Sequence, residues 1–314
     1  MKSSANSGRR EPLWALALLA AVILLASGLR LYRLGTFGLW RDEAEAVFTA
    51  SAAFPVGIVR VLSEDVHAPL YFFLSHFWFA LIGRSEFGVR AFSAFCGILA
   101  IPLLYRVGRE LFDRRVGMIA AWIGAILPLH IACSRTARMY SLLPLVGLLA
   151  LWTLYRALQG KGRLYWLAYL LAAVATAYTH YWGILWIVAL SLSAFLQLIL
   201  ERRPKSDWLS WALAEMGIAL LFVPWLPVFF RQLGIQGAVM GGWLERPSKI
   251  ADLLRLFNEL TALNWPGGRP YLWMALLALG ILTLRWCARS AQEAATLEIS
   301  YEVTPARNLI VLGL

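Results

Sequence analysis

The chain has 314 residues, 60% of them hydrophobic and 15% charged, with 15 Trp and a net charge of +11, and its mean hydropathy is +0.66. That composition argues against a pair of soluble domains and for a polytopic helical membrane protein. The positive excess does not point to nucleic acid, because the basic residues stand in short clusters between apolar runs rather than along one face of a soluble domain.

The first apolar run, from Pro12 to Gly28, follows Lys2, Arg9 and Arg10. It is long for the apolar region of a signal peptide and has no convincing cleavage site after it, so it is expected to be a retained first helix. Membrane spans are predicted over residues 12–30, 88–105, 116–131, 140–156, 164–179, 182–200, 208–230 and 270–285, eight in all. The run from Pro69 to Ile82 is left out of that count. Its 14 residues make a helix of about 21 Å against a hydrocarbon core of about 30 Å, and it is expected on the membrane surface or half inserted.

Leaving that run out places the Lys and Arg clusters on one side. With the N-terminus inside, Lys2/Arg9/Arg10, Arg106/Arg109/Arg114/Arg115, Arg156/Lys161/Arg163, Arg202/Arg203/Lys205 and Arg285/Arg289 are all cytoplasmic, as the positive-inside rule requires. Outside lie 31–87, 132–139, the turn at Thr179-His180-Tyr181, and 231–269. Within the first of these, 44–53 and 56–62 are short amphipathic stretches separated by Pro55, expected as interfacial helices. Segment 244–263 is expected as a further outer helix. Residues 1–289 are read as one membrane domain; the tail 290–314 has no span, and 297–303 alternates in the manner of a strand.

The outer segments also hold the groups that could carry chemistry. Asp42 and Glu43, adjacent in Leu39-Trp-Arg-Asp-Glu, could act as a general base toward a hydroxyl or stabilise positive charge at a sugar carbon. By spacing alone the favoured reading is that they solvate a loop or pair with Arg41 and Arg30. His76, His130 and the cysteines Cys96, Cys133 and Cys287 read as structural, and with no metal-ligand spacing no catalytic metal is expected. Glu215 lies within the seventh predicted span, where snorkelling or pairing with Arg203 is the favoured reading over an intramembrane function.

Five motifs occur in a telling order: Gly38-Leu-Trp-Arg-Asp-Glu-Ala, His67-Ala-Pro-Leu-Tyr-Phe-Phe-Leu, Val89-Arg-Ala-Phe-Ser-Ala-Phe, Ser134-Arg-Thr-Ala-Arg-Met-Tyr-Ser-Leu and Tyr178-Thr-His-Tyr. Together, over residues 28–265, they resemble the bacterial family 39 glycosyltransferases, which are similar to protein O-mannosyltransferases and lipid A aminoarabinose transferases. The resemblance implies an all-α membrane bundle of the GT-C fold that uses no cofactor and moves a sugar, with inversion, from a polyprenyl-phosphate donor. The acceptor would be a lipid, protein or glycan on the extracytoplasmic face of the inner (plasma) membrane.

In that family the first acid of the Asp-Glu pair is the proposed base, here Asp42, with Glu43 supporting it or orienting the acceptor. Arg138 would bind the donor phosphate, with His67 and Tyr140 as further phosphate partners and His180 lining the groove. His67 stands where the family has His-Pro-Pro, with Ala68 in the middle position. Family members generally run longer, so a truncated or divergent form is expected. A transporter or flippase of lipid-linked glycans is the alternative, but it would place ionisable residues near the bilayer midplane.

Overall fold

A computed structural model of the chain describes residues 12–240; the predicted span 270–285, the outer helix 244–263 and the tail from 290 fall outside the described residues. The described residues are helical, with no strand among them. They form α1 (Leu13–Leu31), then α2 (Arg41–Ala50), α3 (Val56–Leu62) and α4 (Leu70–Ile82). The long α5 (Glu86–Leu111) leads into the bent pair α6 (Arg114–Ile126) and α7 (Pro128–Ser134). α8 (Leu142–Leu158), α9 (Arg163–Thr179), α10 (Trp182–Leu200) and α11 (Lys205–Phe222) follow, and a short 3-10 turn at Val223–Trp225 leads into α12 (Leu226–Met240).

Among the described residues four helical runs are long and apolar enough to cross a membrane by themselves: Leu13–Leu31, Glu86–Leu111, Trp182–Leu200 and Lys205–Ile235. α6 and α7 make a fifth if their 60° bend is taken as one broken span. The predicted segments 140–156 and 164–179 appear as α8 and α9, but each has 17 residues. That is about 26 Å, short of a full hydrocarbon core. Both contribute many residues to the largest apolar core, where they pack with α5, α10 and α11. Helices sheathed by other helices need not match bilayer thickness. By contrast only 22% of the α1 window and 17% of the Lys205–Ile235 window are buried, against 56% for α5, so those two runs turn apolar surface outward around a central α5.

Local chemistry explains the bend between α6 and α7. Pro128 opens α7 and Leu127 before it is extended, as a residue preceding proline favours. The helix register would pair the Gly124 carbonyl with the N–H of residue 128, which proline lacks. Arg30, fully buried at the end of α1, supplies the missing donors: its guanidinium reaches Gly124 O at 2.9 Å, Ala125 O at 3.0 Å and His130 Nδ1 at 2.8 Å. Arg135 in turn donates to the carbonyls of Leu29, Arg30 and Tyr32 at the end of α1. Arg30 is therefore a helix-end clamp and not a partner of the acids, and His130 is structural.

α5 and α6 meet through glycine. A Cβ on Gly117 would sit 2.6 Å from Tyr105 O and 2.8 Å from Arg109 N, both backbone atoms that cannot rotate away, and one on Gly108 would meet Gly117 Cα at 2.8 Å. Gly117→Val is expected to abolish the monodisperse folded peak in detergent size-exclusion chromatography, because overpacking against backbone forces the helices apart. Gly28→Ala, with nothing within 4 Å of the added Cβ, is the control and should elute as wild type.

The polar links fall into two sets at the two ends of α8. Beside its C-terminus, Glu110 accepts from Trp152 Nε1 and meets Arg106 and Arg156, and Arg156 reaches the Tyr165 hydroxyl. This set holds members of two of the basic clusters. Beside its N-terminus lie the acids, His67, Arg138 and the turn before α10. Glu215 takes a hydrogen bond from Tyr169 at 3.0 Å, whereas Arg203 pairs with Glu201 and Asp207, so the expected pairing of Glu215 with Arg203 is replaced by a tyrosine. α4, with 13 residues, has its Tyr71, Phe72 and Phe79 in the apolar cluster around α2, α3 and α5, and His76 holds the Ala50 carbonyl at 2.8 Å.

Candidate active site

The site begins with the start of α2. The sequence reading opens this helix at residue 44, but it begins at Arg41. Glu43, at the third helical position, turns back toward the Trp40 N–H at 3.4 Å, a capping contact that extends the helix by a turn's edge without the usual Ser or Thr before it. Successive helical residues point about 100° apart, so Asp42 and Glu43 cannot face the same way. Glu43 turns inward and is 1% exposed; Asp42 is half-buried at the rim.

Glu43 is saturated. Its Oε1 accepts from Arg90 Nε at 2.9 Å and from the Ala137 N–H at 3.0 Å, and its Oε2 from Arg90 NH2 at 2.6 Å. This two-pronged pair is buried, with side-chain exposures of 8% and 1%. Arg90 spends its remaining donors on the carbonyls of Leu34, Phe37 and Gly38. Arg90 therefore fixes the chain entering α2, and Glu43 ties that chain to the loop carrying Arg138. Of the two arginines that spacing offers as partners of the acids, Arg41 reaches the exposed Glu45 among the described residues and Arg30 holds the α6–α7 bend. Arg90 sits in the quoted Val-Arg-Ala-Phe motif, and a lone arginine one turn into a predicted span was the signal that could have singled it out.

Arg138 lies in the turn between α7 and α8 and is 5% exposed. It donates to the Asp42 carbonyl at 3.2 Å and to His67 Nε2 at 2.7 Å, while Nε has no partner among the described residues. Its own carbonyl is held by Ser93, whose hydroxyl also meets Tyr71. Among the described residues Arg138 makes no direct ion pair with a carboxylate; Asp65 is linked to it through His67. A buried guanidinium of this kind is chemically able to hold an anion.

His67 is braced from both sides. Its Nδ1 lies 2.8 Å from Asp65 Oδ2, and its carbonyl accepts from Gln232 Nε2 at 3.0 Å. Gln232, 1% exposed in α12, also donates to Leu62 O and accepts from the Tyr181 hydroxyl, which Trp225 supports. Burial raises the Asp65 carboxyl, but the hydrogen bonds from His67 and the Val66 N–H, with the Arg138 charge, outweigh it and hold Asp65 below its usual range.

His180 caps α9 and stands near the same group. Burial pushes its imidazole down to about 4, with the Arg138 charge adding to the effect, so it is neutral at physiological pH and its Nδ1 takes the Trp182 N–H at 3.2 Å. Tyr140 packs half-buried against the apolar cluster of α2 to α5. The structure thus draws Asp42, His67, Arg138 and His180 to one end of the bundle from four separate segments, with Glu43 beneath them in a structural pair. Asp65 and Gln232 join the group without having been singled out from sequence. An amide in α12 carries no local signal of contacts so distant in the chain.

Residues 66–228, just over half of the chain, match the family described as dolichyl-phosphate-mannose-protein mannosyltransferase. Two proteins of Bacillus subtilis (strain 168) are similar in sequence. "Putative mannosyltransferase YycA" is 29% identical over 174 residues, covering 50% of this chain and 24% of that protein. YkcB, named in the same way, is 25% identical over 163 residues, covering 46% and 21%. The chain thus spans about a quarter of the length of these relatives. The Saccharomyces cerevisiae protein O-mannosyltransferase Pmt1-Pmt2 complex bound to the sugar donor superposes with a TM-score of 0.52 at 17% identity, covering 71% of this chain and 34% of that one. The archaeal oligosaccharyltransferase AglB from Archaeoglobus fulgidus, in complex with an inhibitory peptide and a dolichol-phosphate, gives 0.54 at 15% identity, covering 95% and 38%. At such identities the likeness to the two structures is one of fold.

Proposed function

The chain belongs to the dolichyl-phosphate-mannose-protein mannosyltransferase family of GT-C glycosyltransferases, and we propose that it moves a sugar from a polyprenyl-phosphate donor to an acceptor hydroxyl, inverting the anomeric carbon. The reaction takes place at the extracytoplasmic face of the inner membrane, on the side opposite the basic clusters, with the N-terminus cytoplasmic. The observation that supports this most is the buried Arg138, tied to the Asp42 backbone on one side and to His67 on the other, with no carboxylate in direct contact among the described residues.

In this reading the Asp42 carboxylate takes the proton of the acceptor hydroxyl as that oxygen bonds to the anomeric carbon. The bond from that carbon to the phosphate oxygen breaks on the opposite face, and its electron pair leaves with the lipid phosphate. Negative charge then grows on the phosphate, and Arg138 stabilises it in a site shielded from water. His180, neutral at physiological pH, lines the groove as a hydrogen-bonding group. Glu43 is a positioning residue whose pairing with Arg90 sets the direction of Asp42. Tyr140 flanks Arg138 as a further phosphate partner. No metal is used.

The test is transfer from radiolabelled polyprenyl-phosphate mannose by the full chain in membrane vesicles. Label is expected in an acceptor with its anomeric configuration inverted relative to the donor, together with release of polyprenyl phosphate. Label that crosses the bilayer while still attached to its lipid would establish transport instead and overturn the transferase reading.

A further inference from the structure

The Asp65–His67 contact has a directional consequence, because the two nitrogens of His67 face groups of opposite character. A guanidinium can only donate, so the nitrogen 2.7 Å from Arg138 NH2, Nε2, must carry the lone pair. The ring proton then sits on Nδ1, 2.8 Å from Asp65 Oδ2. Asp65 is itself held: its Oδ1 accepts the Val66 N–H at 2.7 Å. The backbone carbonyl of His67 is held by Gln232, so the residue is anchored at its main chain and its ring at the Nδ1 edge.

The geometry points to Asp65 as a positioning residue of the donor site, which fixes His67 in the Nδ1–H tautomer so that Nε2 accepts from Arg138 and aims its guanidinium at the lipid phosphate. This rests on the transferase reading above and adds to it a residue that need not touch the substrate. Without the carboxylate, the Nε2–H tautomer becomes accessible and turns a donor toward a donor. Among the described residues Arg138 then keeps the Asp42 carbonyl as its side-chain anchor and swings away from its phosphate-binding orientation.

The experiment has two readouts that fail independently. The first is the ring-nitrogen NMR spectrum of histidine-labelled full chain in lipid; with four histidines, a single His67→Gln variant assigns the resonance. Wild type is expected to show His67 protonated at Nδ1, and Asp65→Ala to show a mixture or the Nε2–H form. A wild-type spectrum with the proton on Nε2, or one that Asp65→Ala leaves unchanged, overturns the inference whatever the enzyme's activity.

The second readout is kinetic, with polyprenyl-phosphate mannose as donor. Asp65→Ala is expected to raise the donor KM about tenfold, the value of one hydrogen bond to a charged group, with kcat little changed. Asp65→Asn, whose amide oxygen can still accept from Nδ1, should recover much of the affinity. Asp65→Ala should add nothing in a His67→Ala background, because it acts through that ring. Equal losses in both backgrounds, or a fall in kcat at constant KM, overturn the inference. Absence of transfer by wild type, with the tautomer as expected, removes the transferase reading and with it the donor role, and leaves only the tautomer step standing.

Discussion

Asp42→Asn is expected to lower sugar transfer by about 10²–10⁴-fold, the range contributed by a positioned general base, while the protein accumulates and elutes as wild type. The two halves of that expectation come from different parts of one residue. The contact that builds the site is the Asp42 carbonyl, which accepts from Arg138 and is untouched by the substitution. The side chain is half-buried at the rim of α2, and an amide of nearly the same shape fits there without exposing new surface. What the amide cannot do is accept a proton from the acceptor hydroxyl. The measurement is kcat for transfer from polyprenyl-phosphate mannose at saturating donor and acceptor, with expression checked in the same membranes. Transfer at the wild-type rate would remove Asp42 as the base. A loss confined to the acceptor KM would make it a binding group instead.

What the sequence made legible follows the range of the interactions involved. The helices announced themselves because apolar runs between basic clusters depend on near neighbours, and α1, α5 and α10 lie close to their predicted spans. The 14-residue run from Pro69 to Ile82 appears as the 13-residue α4, because a continuous apolar run between Pro69 and Gly83 is a local signal. The sequence reading opens α2 three residues late because its N-terminal capping group is Glu43, a side chain that serves three segments at once. Asp42 and Glu43 looked alike as neighbours in one string. Helical rotation separates them, and only the partner arriving from α5, 47 positions away, reveals which is buried. The bent α6–α7 pair read as one span because its apolar content is continuous; the donors that make a proline break tolerable come from Arg30 in α1. Asp65, two residues from His67, was within reach of a local reading, but the direction of its proton depends on Arg138, whose place no local pattern supplies.

Arg90→Ala should be the most damaging single change to folding among these residues, and the reason lies in what it leaves behind. Removing the guanidinium strands a Glu43 carboxylate that is 1% exposed with the Ala137 N–H and a long contact to Trp40. Breaking a buried pair from one side typically costs about 3–5 kcal/mol, a large fraction of the about 5–15 kcal/mol that holds a domain together. Replacing both partners with apolar residues usually escapes that cost, which makes Arg90→Met with Glu43→Leu an informative comparison. Here the rescue should be partial. The carbonyls of Leu34, Phe37 and Gly38 lose their donor in the double variant as in the single, each unsatisfied group costing about 1–3 kcal/mol. Thermal unfolding in detergent, followed by tryptophan fluorescence, should therefore rank wild type above the double variant and the double variant above Arg90→Ala. A double variant as stable as wild type would mean that those three carbonyls are hydrated, and that the clamp on the chain entering α2 acts through Glu43 alone.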